Sequence, residues 1–217
     1  HAIHNLIRPF RDIVQVKWSQ TGFVSGQLHE TPRNLMAFKD GTVNPRHTDE
    51  YKDYVFIDDG WAKNGTYCII RRIQIHIETW DRTALEEQEA TFGRKRISGA
   101  PLTGKKEFDE MDLGAKDSSG EYVIPADAHA RLAHEAKTSI KRRAYNYTAG
   151  TNDKTGALET GLLFISFQKA TQQFIDIQNH LGHKDKLNEY ITHRASATFI
   201  VLPGVKKGGY LGETLFD

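Results

Sequence analysis

The stretch Tyr67-Cys68-Ile69-Ile70-Arg71-Arg72-Ile73-Gln74-Ile75-His76-Ile77-Glu78-Thr79-Trp80 carries the clearest two-residue period in the chain. Ile73, Ile75 and Ile77 alternate with Gln74, His76 and Glu78, the pattern of a strand with one face buried. Gly161-Leu162-Leu163-Phe164-Ile165-Ser166-Phe167-Gln168 reads as a second, more buried strand, and Thr198-Phe199-Ile200-Val201-Leu202 as a third. Asp12-Ile13-Val14-Gln15-Val16-Lys17-Trp18 also alternates and is predicted to be a half-buried strand. Thr171 to Leu181 instead spaces Phe174, Ile175, Ile177 and Leu181 as one face of a helix. Shorter helices are predicted over Arg82–Phe92, with Thr83 as N-cap and Glu86 three residues on, and over Asp185–His193. Strands and helices mix without regular alternation, so the fold class expected is α+β with an antiparallel sheet.

Between these elements lie Ser19 to Arg46 and Gly93 to Pro125, both punctuated by Gly, Pro and Asn and read as long loops. Long structureless loops in compact proteins usually carry function. The C-terminal Gly208-Gly209-Tyr210-Leu211-Gly212-Glu213 reads as a surface tail, and His1 to Ile7 as the inside of an amphipathic helix. That opening, without Met or a basic-then-apolar leader, is expected of a piece of a longer chain.

Composition excludes more than it assigns. The chain has 217 residues, 29 Lys+Arg against 28 Asp+Glu, and 38% hydrophobic residues. A net charge of +1 gives no support for nucleic acid as a partner. No apolar run approaches the roughly 20 residues of a transmembrane helix. One cysteine, Cys68, excludes an intrachain disulfide and any multi-thiolate metal site, and it reads as a core residue rather than a nucleophile. No G-x-S-x-G elbow, phosphate-binding loop or H-E-x-x-H helix occurs. Ten histidines leave imidazole as the available metal ligand. His180-x-x-His183 has helical spacing but is interrupted by Gly182, and His76 sits on the polar face of its strand, so neither makes a strong site. The run Glu86-Glu87-Gln88-Glu89 reads as a solvated helix face.

Three segments remain. Taken singly, each has an ordinary explanation: Asp40 in Ala37-Phe38-Lys39-Asp40-Gly41-Thr42-Val43-Asn44-Pro45 could cap its own turn, His129 could merely start a helix, and Arg142-Arg143 could be a basic surface patch. Taken in order, Phe38-Lys39-Asp40-Gly41-Thr42-x-Asn44, His129-x-Arg131-Leu132-Ala133 and Arg142-Arg143-x-Tyr145-x-Tyr147 closely resemble the dye-decolorizing haem peroxidases. Thr31-Pro32-Arg33-Asn34-Leu35, Glu78-Thr79-Trp80-Asp81-Arg82-Thr83, Ser98-Gly99-Ala100-Pro101-Leu102 and Gly161-Leu162-Leu163-Phe164 support the likeness. The branch most similar is the one tied to bacterial iron uptake, also called deferrochelatases. The resemblance covers essentially the whole chain and matches only the C-terminal half of such a protein.

The resemblance implies a ferredoxin-like antiparallel sheet with helices packed on it, of the dimeric α+β barrel type, with a haem pocket between sheet and helices. Residues 1–217 would be the C-terminal haem-binding domain. It implies haem b, with His129 as the proximal iron ligand through a neutral imidazole. Asp40 would be the distal acid–base group and Arg142 the distal cation, also reaching a haem propionate. Asn44 would neighbour bound peroxide, and Gly41, Thr42 and Val43 would lie against the haem. A carboxylate should hold the other ring nitrogen of His129; Asp127, Asp176 and Glu189 are the candidates. Two departures stand out: Ala37 where the family often has Gly, and His134-Glu135 where it often has Asn-Pro. The latter makes His134 a rival ligand, though the order H-x-R-L-A favours His129.

The activity implied is reduction of hydrogen peroxide, via a ferryl intermediate, with oxidation of dyes, phenolics or other small reducing substrates. Electrons from bulky substrates would pass through a surface Tyr or Trp: Tyr145, Tyr147, Tyr190, Trp61 or Trp80, each of which reads more readily as packing than as a relay. Two other readings stand beside it. One is a haem-handling deferrochelatase that releases iron from haem. The other is a non-catalytic half-module that needs a complementing N-terminal chain. Export from the cytoplasm is expected from the branch, and homo-oligomerisation is left open.

Overall fold

The computed structural model describes residues 1–26 and 29–216. Its centre is a five-stranded antiparallel sheet. β1 (Thr66–Ile75) lies between β4 (Leu158–Gln168) and β5 (Ile191–Val201), while β2 (Lys141–Arg142) and β3 (Tyr145–Thr151) share the far edge of β4. The register pairs Arg71 with Phe164 and with Ser196, and slips at Arg72/Ile73 against β5. The antiparallel sheet expected from the strand pattern is present, and among the described residues it stays open, with β5 as an edge.

Helices cover one face. α6 (Thr171–Leu181) has the bounds its apolar spacing predicts, because Phe174 and Ile177 face the sheet and join Ile69 and Ile140 in one core cluster. Gln173 accepts the Ala170 N–H at 2.9 Å and fixes the helix start. A second cluster gathers Met36, Phe38, Ile75, Trp80, Phe92, Leu187 and Tyr190. Phe38 stacks on Phe92 at 4.0 Å between centroids, and Trp80 meets Tyr190 edge-on at 4.9 Å. This cluster ties the long N-terminal loop to the sheet through aromatic packing.

Four local expectations are corrected. Residues 12–18 form no strand: a two-residue period needs a ladder partner, none of the five strands pairs with this segment, and Ile13, Val14, Val16 and Trp18 stay exposed. β1 ends at Ile75, and α3 (Ile77–Trp80) takes over, since burying Trp80 and bonding its indole to the Met36 carbonyl turns the chain off the sheet. α4 (Leu85–Phe92) is N-capped by Ala84 without a side-chain bond, and the Thr83 hydroxyl donates back to the Thr79 carbonyl instead. The helix predicted over 185–193 shrinks to a 3₁₀ turn at Lys186–Glu189, and Ile191 already starts β5. His1 to Ile7 gives α1 (Ala2–Ile7), with no buried residue. α2 (Thr48–Tyr54) follows the Asp40 loop, and α5 (His129–Glu135) follows the loop of residues 93–128. Among the described residues no helix is long and apolar enough to cross a membrane.

Candidate active site

The loop from Pro32 to Pro45 is shaped by its own polar side chains. The Asn34 carboxamide accepts the N–H groups of Met36 and Phe38, both at 3.1 Å, and closes a turn in which Ala37 adopts φ +69°. This is the left-handed conformation for which glycine is best suited, and it is the place where the family often has one. Arg33 spreads its guanidinium over the carbonyls of Ala37, Arg96 and Ile97 at 2.6–2.8 Å and pins the loop to the segment after α4. The Asp40 amide then donates to the Pro32 carbonyl at 2.8 Å.

Asp40 points its Oδ1 at Arg142 Nη1, 2.8 Å away. The contact is an ion pair, and among the described residues no donor is aligned for a hydrogen bond to the buried Oδ1. A buried carboxylate oxygen held beside a cation, with an acceptor position still unused, is set up to take a proton from a small ligand. Asp40, Gly41, Asn44 and Arg142 line one cavity of about 570 Å³, whose walls also carry Arg33, Arg46, Lys141 and Arg143. Cations outnumber acids there, which suits an anionic ligand.

Asn44 lies in the wall of this cavity, yet its carboxamide is used on Arg142: Nδ2 donates to the Arg142 carbonyl and Oδ1 accepts the Arg142 amide, each at 2.9 Å. It fastens the Asp40 loop to β2, and so fixes the spacing between Asp40 and Arg142. Thr42 is buried and donates to Glu107 at 3.1 Å, while Val43 is 65% exposed and outside the cavity wall.

His129 is the first residue of α5. Its Nδ1 sits 2.7 Å from Asp185 Oδ2, and that carboxylate is only 3% exposed. Asp185 is held in turn by the Leu187 amide, which donates to Oδ1 at 3.0 Å. With Nδ1 engaged, Nε2 is the nitrogen left to ligate a metal, and it makes no hydrogen bond among the described residues. The carboxylate that holds His129 is therefore Asp185, not Asp127, Asp176 or Glu189. A charged capping residue at the start of a short turn was its only trace in the sequence. His134, in the last turn of α5, is exposed. The His129 ring lies 6.2 Å from Phe92, which stacks on Phe38, two residues before Asp40. One aromatic cluster thus links the histidine to the carboxylate loop.

Of the relay candidates, Tyr147, Tyr190 and Trp80 are buried, Tyr145 is half-buried under Arg143, and Trp61 is exposed. Cys68 is buried in β1, where desolvation pushes its thiol pKa up and keeps it unreactive. His180 and His183 are exposed, and no group of three or more metal-binding side chains assembles among the described residues.

A family model described as "Dyp-type peroxidase, C-terminal" matches residues 31–206. Among curated proteins, the deferrochelatases of Yersinia pseudotuberculosis serotype I and Shigella flexneri are each 37% identical over 236 positions. The alignments take in 100% of this chain and 54–55% of theirs. Among solved structures, ferric DtpA from Streptomyces lividans superposes with a TM-score of 0.93 at 34% identity, over 99% of this chain and 62% of that one. The DyP-type peroxidase from Cellulomonas bogoriensis gives 0.91 at 36% identity, over 100% and 63%. The chain spans about half the length of the curated relatives it matches.

Proposed function

Because the chain belongs to the Dyp-type peroxidase family, to its C-terminal part, we propose that residues 1–217 form the haem-bearing domain of a hydrogen-peroxide-dependent peroxidase that oxidises small reducing substrates. The observation that carries this is the Asp40–Arg142 pair: a carboxylate oxygen and a guanidinium nitrogen 2.8 Å apart in the wall of one cavity. A protein that merely carried haem would need neither group in that arrangement.

The residues present fit haem b, the family's group. His129 would hold the iron through Nε2, and its Nδ1–H, donated to Asp185, makes the imidazole a stronger electron donor. Of the two histidines, His129 is the one with a buried carboxylate partner, which supports it over His134. When bound, haem b supplies the iron at which the peroxide O–O bond is cleaved and the oxidising equivalents are held. Asp40 Oδ1 takes the proton from one peroxide oxygen, and the carboxyl returns it to the other as water leaves. Arg142 stabilises the negative charge that develops on the departing oxygen. Asn44 keeps Arg142 at that distance. Gly41, with φ +108°, turns the chain after Asp40; a Cβ there would sit 2.9 Å from Asn44 Nδ2.

Activity as a whole is proposed for the full-length protein, with an N-terminal half completing the site. The exposed Ile3, Leu6, Phe10, Val16 and Trp18 support a covering partner for the N-terminal segment. Export follows the branch resemblance and is testable by cell fractionation. A second reading has its own support: the curated relatives are named deferrochelatases. One assay separates the two. The haem-loaded full-length protein receives hydrogen peroxide and a reducing dye. The peroxidase reading predicts dye oxidation with porphyrin and iron still joined, and loss of that oxidation in Asp40→Asn. Metal-free protoporphyrin accumulating without dye oxidation would overturn it in favour of iron release.

A further inference from the structure

Asp40 is held from the Arg142 side by Asn44, and something must hold it from the other. Glu107, in the loop between α4 and α5, does so. Its side chain is only 10% exposed; Oε2 pairs with Lys39 Nζ at 2.5 Å, and Oε1 accepts from the Thr42 hydroxyl at 3.1 Å. Lys39 and Thr42 bracket Asp40-Gly41 in sequence, so one carboxylate grips the loop on both sides of the acid–base residue. Glu107 is itself anchored: Arg94 Nη1 donates to its carbonyl at 3.0 Å and to the Gly99 carbonyl at 2.7 Å. Glu107 is outside the residues lining the Asp40–Arg142 cavity.

We propose that Glu107 is a positioning residue for the distal acid–base group: it clamps Lys39 and Thr42 so that Asp40 stays at bonding range of Arg142. This rests on the peroxidase reading for its consequence in catalysis, but the clamp is a property of the loop alone. Burial works against the charged carboxylate, yet the hydrogen bonds from Lys39, Thr31 and Thr42 together hold the pKa of Glu107 below the ordinary glutamate value, so the clamp is charged at neutral pH. Lys39 contributes a cation that would otherwise be left half-buried beside Asp40.

The test uses haem-loaded full-length protein as wild type, Glu107→Ala and Glu107→Gln; the last keeps the shape and the Thr42 acceptor if Ala impairs folding. Amide hydrogen exchange is read for the Asp40 and Asn44 N–H groups, which are bonded to Pro32 and Gly41, alongside the bimolecular rate with hydrogen peroxide and the haem content. Exchange at residues 38–44 should rise about 10-fold in Glu107→Ala while the sheet amides of β1 and β4 stay protected. The peroxide rate should fall about 10-fold or more at unchanged haem content, because small misplacements of acid–base groups are costly. Glu107→Gln should be intermediate in both. Unchanged loop exchange overturns the clamp, and so does a loosened loop with an undiminished rate in a wild type that does react. Loop loosening in a protein whose wild type ignores peroxide upholds the clamp and fails the peroxidase reading alone.

Discussion

Replacing Asp185 by Asn removes the charge from a carboxylate that is 3% exposed and leaves its shape intact. The asparagine oxygen can still accept the Leu187 amide, so the start of the 3₁₀ turn survives. What disappears is the charge-assisted bond of 2.7 Å to His129 Nδ1. Such a bond contributes about 1.5–3 kcal/mol. Loss of a carboxylate behind a ligating histidine costs about 10–100-fold in metal affinity, or about 1.4–2.8 kcal/mol at 1.4 kcal/mol per decade. The two routes agree, so haem affinity of the full-length protein should weaken by about 10–100-fold. The assay is haem titration followed at the Soret band, with the reduction potential of the bound iron as a second reading, expected to rise as the imidazole donates less. Asp185→Ala should add about 1 kcal/mol of lost stability for the missing cap. A haem affinity within twofold of wild type in Asp185→Asn, with the potential unmoved, would refute the assignment of Asp185 to the proximal histidine.

Three further outcomes follow from the same geometry. Asp40→Asn should lower the bimolecular rate with peroxide by about 10²–10⁴-fold, the range for a general acid–base group, with haem content unchanged in a stopped-flow comparison. Ala37→Gly should stabilise the protein by about 1 kcal/mol in denaturant titration, since Ala37 sits at φ +69°, where a Cβ is costly. The Lys39–Glu107 pair should contribute stability that is fully present above the ordinary glutamate value and lost as pH falls through the lowered folded-state value. The melting-temperature gap between wild type and Glu107→Gln should therefore shrink on acidification below about pH 4.3.

What the sequence disclosed, and what it hid, divides along the range of the interactions. α6 was readable to the residue because its helix face is a local pattern, and β4 because a run of apolar residues bounded by Gly161 has few other uses. The alternation in 12–18 misled because a strand is defined by its partner, and no property of the segment itself supplies one. Ile77 continued the alternation of β1 in sequence, but burial of Trp80 against Met36 outweighed strand propensity. Asp40, His129 and Arg142 stood out only as an ordered set of motifs resembling a family; each alone was unremarkable. The roles of Asp185, visible only as a capping residue, and of Glu107 were hidden, since they act on residues 56 and 68 positions away through contacts that no local spacing encodes. Ala37 is the converse case: a single replaced glycine, small on paper, marks a backbone angle that the structure then displays.

The most direct measurement is the absorption spectrum of the haem-loaded full-length protein before and after one equivalent of hydrogen peroxide, in wild type and His129→Ala. The wild type should show a Soret band that shifts on mixing and returns when a reducing dye is added, while His129→Ala should lose the band or carry a grossly altered one that does not respond. A His129→Ala protein with the wild-type spectrum and the wild-type response would contradict the placement of iron on His129 and, with it, the site built around Asp40 and Arg142.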